Sequence, residues 1–428
     1  MGASLKRAAH DILIGNDLGG YTVPTKGLYP YQWNWDSVFV ALGFATFDLD
    51  RAWRELETLF EGQWTDGMVP HILFRKNDPG YFPGPSVWQT SHEPFPTSGH
   101  SQPPVAAIAV RDMFEKAPTD ENAERAKGLF PKLMAFHRWW ATYRDPSGEG
   151  SVAIIHPWES GRDNLPDWDE PLSLVDVSRI DAYERKDTTH VDASMRPLKQ
   201  DYDRYMAILQ SGRAVGWDPH KVVENSPFLV ADPAITMILL RANRDLLALA
   251  ERLGFQRERV EIQGWIARLE RGVASLWNET VQAYTTKNLR SGVFGAGVSS
   301  AAFLAPFAGI SDPKVLDPMR NHFDRIAGKV TYMVPSYDPD YEGFEHMRYW
   351  RGPVWAVVNY MIARGLREQG DTLRAERVRQ DTANLVAKSG FAEYFSPIDG
   401  TGAGGRSFSW TAAVWLAWVS PTHAVEAA

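Results

Sequence analysis

Two short segments hold carboxylates in surroundings that could make one an acid and the other a base. In His156-Pro157-Trp158-Glu159-Ser160-Gly161-Arg162-Asp163-Asn164, Asp163 lies close to a tryptophan in a loop punctuated by Pro and Gly. Partial desolvation there raises a carboxyl pKa and keeps the proton on near neutrality, the state a general acid needs. The plainer role for Asp163 is a surface acid paired with Arg162. In Gly390-Phe391-Ala392-Glu393-Tyr394-Phe395-Ser396-Pro397, Glu393 is the only acid between Asp381 and Asp399, inside an aromatic string just after a helix. A lone carboxylate in such a place must be paired, open to a pocket, or costly; a half-exposed turn accommodates it equally well. Two carboxylates on distant aromatic loops are the equipment of glycoside hydrolysis. One protonates the departing oxygen and the other acts on water or on the sugar.

Three further clusters could hold a ligand. Tyr29-Pro30-Tyr31-Gln32-Trp33-Asn34-Trp35-Asp36 stands at a helix entry. Asp36 could accept two sugar hydroxyls while Trp33 or Trp35 packs on the ring, or Asp36 could cap a helix beginning near Ser37. Arg348-Tyr349-Trp350-Arg351-Gly352-Pro353-Val354-Trp355 opens another helix, and Arg351 reads first as a structural ion-pair partner. Arg196, with Tyr202 just inside the next helix, could hold a substrate carboxylate through a guanidinium fork and a phenol. Its simpler role is an exposed Arg at a loop edge.

These residues need a frame, and the periodicity supplies a helical one. Helices are expected at 3–13, 36–47, 48–62, 103–117, 121–143, 200–213, 231–253, 255–278, 298–306, 312–326, 352–369, 371–389 and 408–419. Asp232-Pro233 marks a start, and Gly254, Gly370 and Gly390 mark ends. Successive pairs with short turns, such as 231–253 with 255–278 and 352–369 with 371–389, suggest an all-α, closed (α/α)6 toroid over 1–428 as one catalytic domain. Between pairs run aromatic loops at 63–100, 146–199 and 327–351, too long for mere connectors, which are expected to form the working face.

Composition narrows the chemistry. The 428 residues carry 45 Lys+Arg against 53 Asp+Glu, a net charge of −8, which argues against nucleic acid as a partner. With no cysteine there is no thiol nucleophile and no Cys-ligated metal, and the 11 histidines show no zinc spacing. No cofactor and no metal are expected. The absence of a signal-like or membrane-length apolar run points to a cytoplasmic protein without a membrane partner. Aromatic residues make up 12%, including 17 Trp, a composition that suits sugar pockets as well as a Trp-rich core. Gly400 to Gly405 satisfies G-x-G-x-x-G, but no convincing strand precedes it and little chain follows, so dinucleotide binding is rejected.

Taken in order, Trp33-x-Trp35-Asp36, Glu159 to Asn164, Tyr349-Trp350-Arg351-Gly352-Pro353, and Glu393-Tyr394-Phe395 through Trp410-Thr411 resemble family 63 glycoside hydrolases, from about residue 29 to about residue 415. The resemblance implies an (α/α)6 barrel and an inverting mechanism, with Asp163 as general acid and Glu393 as the base that activates water. It implies that Asp36, Trp33 and Trp355 shape the sugar subsite, with Tyr29, Trp35, Trp158, Gly161 and Trp410 around the same substrate. The compact form resembles the bacterial subgroup that hydrolyses mannosylglycerate and glucosylglycerate. There an Arg and a Tyr at the spacing of Arg196 and Tyr202 bind the glycerate carboxylate, and Tyr81, Gln102, Tyr349 and Trp350 match other contacts. The acid motif departs from the Gly-Leu-Asp-Asp form common elsewhere in the family, with Arg162 and Asn164 flanking Asp163. The expected substrate is therefore a small sugar glycerate, glucosyl or mannosyl. The rival is an α-glucosidase or trehalase-like hydrolase of a neutral disaccharide. The residues leave homo-oligomerisation open.

Overall fold

A computed structural model describes residues 2–189 and 191–420. In chain order the helices are α1 (Gly2–Asn16), α2 (Asn34–Phe44), α3 (Leu49–Leu59), α4 (Pro85–Trp88), α5 (Ala106–Lys116), α6 (Asp120–Tyr143), α7 (Asp169–Ser173) and α8 (Lys199–Ala214). Then follow α9 (Pro219–Asn225), α10 (Pro233–Leu253), α11 (Glu258–Ala274), α12 (Pro313–Ala327), α13 (Ala356–Glu368), α14 (Thr372–Ser389) and α15 (Ser409–Val414). Local chemistry sets many of the ends. Asp48, Thr119, Asp232, Asp312 and Asp371 each accept a hydrogen bond from a first-turn amide. Gly254, at φ +87°, ends α10 in the left-handed region.

Six elements form an inner ring: α2 packs on α5, α5 on α10, α10 on the 3-10 turn Ser300–Leu304, that turn on α13, α13 on α15, and α15 back on α2. Each has an outer partner, namely α3, α6, α11, α12, α14 and, closing the circle from the other end of the chain, α1 against α15. This is the expected (α/α)6 toroid, and the contact between α15 and α2 separates it from an open solenoid. The segment expected as a helix at 298–306 is a single 3-10 turn. Pro306 follows it and, lacking an N–H, leaves one α-helical hydrogen bond unmade. The expected 255–278 helix stops at Ala274, and Trp277–Asn278 pairs instead with Ala283–Tyr284. Helices α4, α7 and α9 are too short to announce themselves by periodicity.

Inner-to-outer turns are short, spanning 45–48, 117–119, 254–257 and 369–371, whereas outer-to-inner connections such as 60–105, 144–232 and 328–355 are long. The N-terminal ends of the inner elements therefore share one end of the toroid with the long loops. Two-residue strand pairs pin those loops. Gln32–Trp33 pairs with Ile72–Leu73, Val230–Ala231 bridges Ala153–Ile154 and Lys287–Asn288, and Tyr394–Phe395 pairs with Gly402–Ala403. Among the described residues no helix is long and apolar enough to cross a membrane.

Candidate active site

At the loop end of the ring lies an open cavity of about 880 Å³. Its wall includes Tyr29, Trp33, Trp35, Asp36, Tyr81, Gln102, Trp158, Gly161, Asp163, Arg196, Tyr202, Tyr349, Glu393 and Trp410. Fourteen residues singled out in the sequence thus converge on one surface. Several sit at or just before inner helices, whose N-terminal dipole ends favour negative charge nearby.

Glu393 is fully buried, and its surroundings favour the ionised form. Its Oε1 accepts hydrogen bonds from the Tyr349 hydroxyl at 2.8 Å and the Tyr29 hydroxyl at 3.1 Å, and its Oε2 from the Gly405 amide at 2.8 Å. Burial nevertheless raises its pKa, opposed by the charge of Arg196 and by these donors. The glycine run has its use here. A Cβ at Gly404, where φ is +70°, would stand 2.2 Å from Glu393 Oε2, so only glycine lets the backbone wrap this carboxylate. Trp410 Nε1 donates to the Glu393 carbonyl and Thr411 Oγ1 to that of Ala392, tying the segment to α15.

Asp163 is half-buried, and its carboxyl is pushed up to about 7 by desolvation and by the charge of Glu393, with Arg196 pulling it down. Arg162 does not pair with it. Arg162 Nη2 instead meets Asp232, the cap of α10, and Nη1 reaches Ser299 Oγ, so the plainer pairing considered for Asp163 is set aside. The loop is held from below by a buried fork: Arg144 donates to both oxygens of Glu159, which also accepts from the Ser101 and Ile155 amides. The Tyr205 hydroxyl donates to the Asp163 carbonyl at 2.7 Å. Gly161, at φ +68°, has room for no side chain, since a Cβ would lie 2.9 Å from the Trp35 ring. Gly161→Ala should displace Trp35 or the acid loop, costing about 1–3 kcal/mol; thermal melts and kcat/KM should fall together.

Asp36 does not cap a helix near Ser37. Helix α2 begins at Asn34, and the Trp35 amide in its first turn is satisfied by Gln102 Oε1 at 3.3 Å. The Asp36 carboxylate lines the cavity, where burial raises its pKa well above the ordinary value and the charges of Glu393 and Asp163 raise it further. Tyr81 packs edge-on against Tyr31 and Trp33.

Arg196 is buried rather than exposed at a loop edge. Its Nε donates to Asp187 Oδ2 at 3.0 Å, its Nη1 to the Tyr29 hydroxyl at 3.1 Å, and the guanidinium lies 4.1 Å from the Tyr349 ring centre. Tyr202 lines the same end, its ring facing Arg185 at 4.4 Å. Arg351 forks Asp169, the structural pairing read for it in the sequence.

Trp350 and Trp355 differ from their expected placement. They are not among the lining residues. They stack on each other at 3.8 Å and 3°, behind Tyr349, with Trp355 also edge-on to Trp410. Their motif marks a wall that supports the site from behind. The cavity also has members the sequence did not announce, chiefly His71, Asp187, Lys186 and Phe408. His71 stacks on His100, and His100 on His156. Burial lowers all three pKa values, which keeps them neutral. His156 Nδ1 accepts from the Trp158 amide and its Nε2 faces the Tyr205 carbonyl, so the stack seats two walls of the acid loop. Three histidines scattered from 71 to 156 carry no spacing signal. Among the described residues no cluster of His, Asp and Glu could hold a metal ion.

A closed ring of helix pairs with two carboxylates and stacked aromatics in one end cavity defines an (α/α)6 glycoside hydrolase. The chain belongs to the mannosylglycerate hydrolase MGH1-like glycoside hydrolase family, whose model matches residues 29–411. It is 47% identical over 423 residues to mannosylglycerate hydrolase MGH1 of Selaginella moellendorffii, covering 99% of this chain and 87% of that protein. It is 34% identical over 439 residues to the glucosylglycerate hydrolase of Mycolicibacterium hassiacum, covering 96% and 97%. The crystal structure of a family 63 mannosylglycerate hydrolase from Thermus thermophilus with Tris and D-glycerate superposes with a TM-score of 0.93 at 47% identity, over 97% of this chain and 99% of that one. The family expected from the motifs is the one found.

Proposed function

We propose that this single catalytic domain hydrolyses 2-O-α-mannosyl-D-glycerate, 2-O-α-glucosyl-D-glycerate, or both, with inversion at the anomeric carbon. The observation that carries this is Arg196: a buried guanidinium in the cavity that holds Asp163 and Glu393, fixed on three sides with Nη2 left over. Such a group suits an aglycone with a carboxylate better than a neutral one. Relatives named for both sugars, and one bound to D-glycerate, support the same substrate class.

In one step Glu393 removes a proton from water as the water oxygen bonds to the anomeric carbon. The glycosidic C–O bond breaks, and Asp163 gives its proton to the departing glycerate oxygen. Tyr29, Tyr349 and Gly405 keep Glu393 ionised and aimed, and desolvation keeps Asp163 protonated. Trp33, Trp35 and Asp36 receive the sugar, while Arg196 and Tyr202 receive the glycerate. Neither proton transfer calls for a cofactor.

Activity then requires Asp163 with its proton and Glu393 without one. Raising the pH through about 7 removes the first condition, and lowering it through the raised pKa of Glu393 removes the second. A pH profile of kcat/KM should be bell-shaped with its alkaline limb near 7; a flat profile from about pH 6 to 9 would remove Asp163 as the acid. The activity itself is tested by proton NMR of the anomeric signals with both glycosylglycerates in parallel. The β-anomer of free sugar should appear first. Silence on both, with neutral α-glucosides cleaved, would overturn the glycerate assignment.

A further inference from the structure

The aglycone end of the cavity is built from charges that can be counted. Arg196 and Asp187 line it, Arg185 joins them through Asp187, and both guanidiniums hold that one carboxylate. Asp187 accepts from Arg185 Nε at 3.0 Å and Nη2 at 2.7 Å, and from Arg196 Nε at 3.0 Å. Burial works to raise the pKa of Asp187, but these two cations outweigh it and hold it at about 2, so it stays ionised. Lys186, also on the wall, pairs with Glu184 at 2.8 Å and cancels it. The sum is +1.

The donors can be counted as well. Arg185 is committed: its fork is on Asp187, its Nη1 donates to the Pro197 carbonyl, and its face lies on the Tyr202 ring. Arg196 has spent Nε on Asp187 and one Nη1 hydrogen on Tyr29. What remains is one guanidinium edge, enough for one carboxylate. A second anionic group entering with the first would meet no open fork, and deeper in the cavity it would face Asp163 and Glu393. Without Asp187 the same end would carry +2 and a second free edge.

We propose that Asp187 is a specificity-determining residue that sets the aglycone subsite at one net positive charge, selecting a singly charged 2-hydroxy acid over neutral polyols and over dianions. This rests on the glycerate reading above and adds to it the exclusion of doubly charged aglycones, and the means of that exclusion.

One three-carbon skeleton supplies the test. Glycerol, D-glycerate and tartronate (2-hydroxymalonate) differ by one carboxylate at each step and are close in size. Their binding would be measured by titration calorimetry on the full chain, with circular dichroism melts to verify that each variant is folded. The native protein should bind D-glycerate about tenfold or more tighter than either neighbour in the series. Asp187→Asn should shift the tartronate-to-glycerate ratio about tenfold or more towards tartronate. Arg185→Gln, which lowers the sum to zero, should erase most of the preference for glycerate over glycerol. Ratios are read because loosening of the loop would weaken all three ligands together. An unchanged tartronate-to-glycerate ratio in folded Asp187→Asn overturns this proposal and leaves the glycerate reading standing. Failure of the native protein to bind D-glycerate, with no hydrolysis of either glycosylglycerate, overturns the glycerate reading and this inference with it.

Discussion

Glu393→Gln should lower kcat on the glycosylglycerate substrate by roughly 10³- to 10⁴-fold, the range lost when a general base is removed from water activation. The amide keeps the size of the side chain and can still meet Tyr29, Tyr349 and Gly405, but it cannot accept the proton that water must lose. Asp163→Asn should lose a similar factor on the same substrate for a different reason: the departing glycerate alkoxide is no longer protonated. The two roles separate on an α-glycosyl fluoride. Fluoride leaves without a proton, so Asp163→Asn should stay within about tenfold of the native rate while Glu393→Gln remains inactive. Equal losses on the fluoride would contradict the assignment of acid and base.

Stability supplies an independent reading of Asp163. Its folded pKa of about 7 lies above the ordinary 3.8, so the folded state binds the proton more tightly than the unfolded chain. Stability contributed by that proton is fully present below about pH 4 and is lost as the pH rises to 7; above that the ionised form carries the whole desolvation cost. Asp163→Asn should therefore melt higher than the native protein at about pH 8, by up to about 4 kcal/mol of stability, and show little difference at about pH 4. A catalytic group held at a cost to folding behaves in this way.

The second large effect belongs to Arg196→Ala. Truncation removes a charge-assisted contact from a desolvated position, which costs about 2–4 kcal/mol, or roughly 30- to 1,000-fold in KM for the glycerate substrate. On the neutral glycerol glycoside the change should be small. A second signature follows from electrostatics. Arg196 holds down the pKa values of both Asp163 and Glu393, so its removal should move both limbs of the pH profile towards alkaline values. A rise in KM with an unmoved profile would place Arg196 farther from the carboxylates than the cavity suggests. Equal loss on charged and neutral substrates would indicate collapse of the wall formed by Tyr29 and Tyr349.

Much of this protein is legible along the chain. Helix periodicity, caps such as Asp232-Pro233 and the spacing of paired segments encode α2 with α3, α5 with α6, α10 with α11 and α13 with α14, because those contacts are made between neighbours in sequence. The two carboxylates stand out for a related reason: a lone acid in an aromatic string has few inexpensive fates. The missed helices were one or two turns long, and the 3-10 turn at Ser300–Leu304 took the place of an inner helix just ahead of Pro306, whose missing N–H weakens helical continuation.

Partner choice was decided by closure of the ring. Arg162 stands beside Asp163 in sequence, yet it is drawn to Asp232 at the tip of α10. Helix α2 begins at Asn34, ahead of Asp36, so this acid stands inside the first turn and its carboxylate lines the cavity. Trp350 and Trp355 carry the same motif signal as Tyr349, but their stacking turns them to the back of the wall while Tyr349 faces Glu393. The glycine run that mimics a nucleotide motif becomes a sleeve for that glutamate only because its strand folds back on Tyr394–Phe395. By itself the sequence determined the helices, their pairing and the kinds of groups available for chemistry, since these follow from short-range sterics and periodic burial. Which carboxylates share a cavity, which tryptophans line it and which charge answers Arg196 were settled only in the tertiary structure. Those choices depend on distances between residues hundreds of positions apart, and the chain has no such distances until α15 closes on α2.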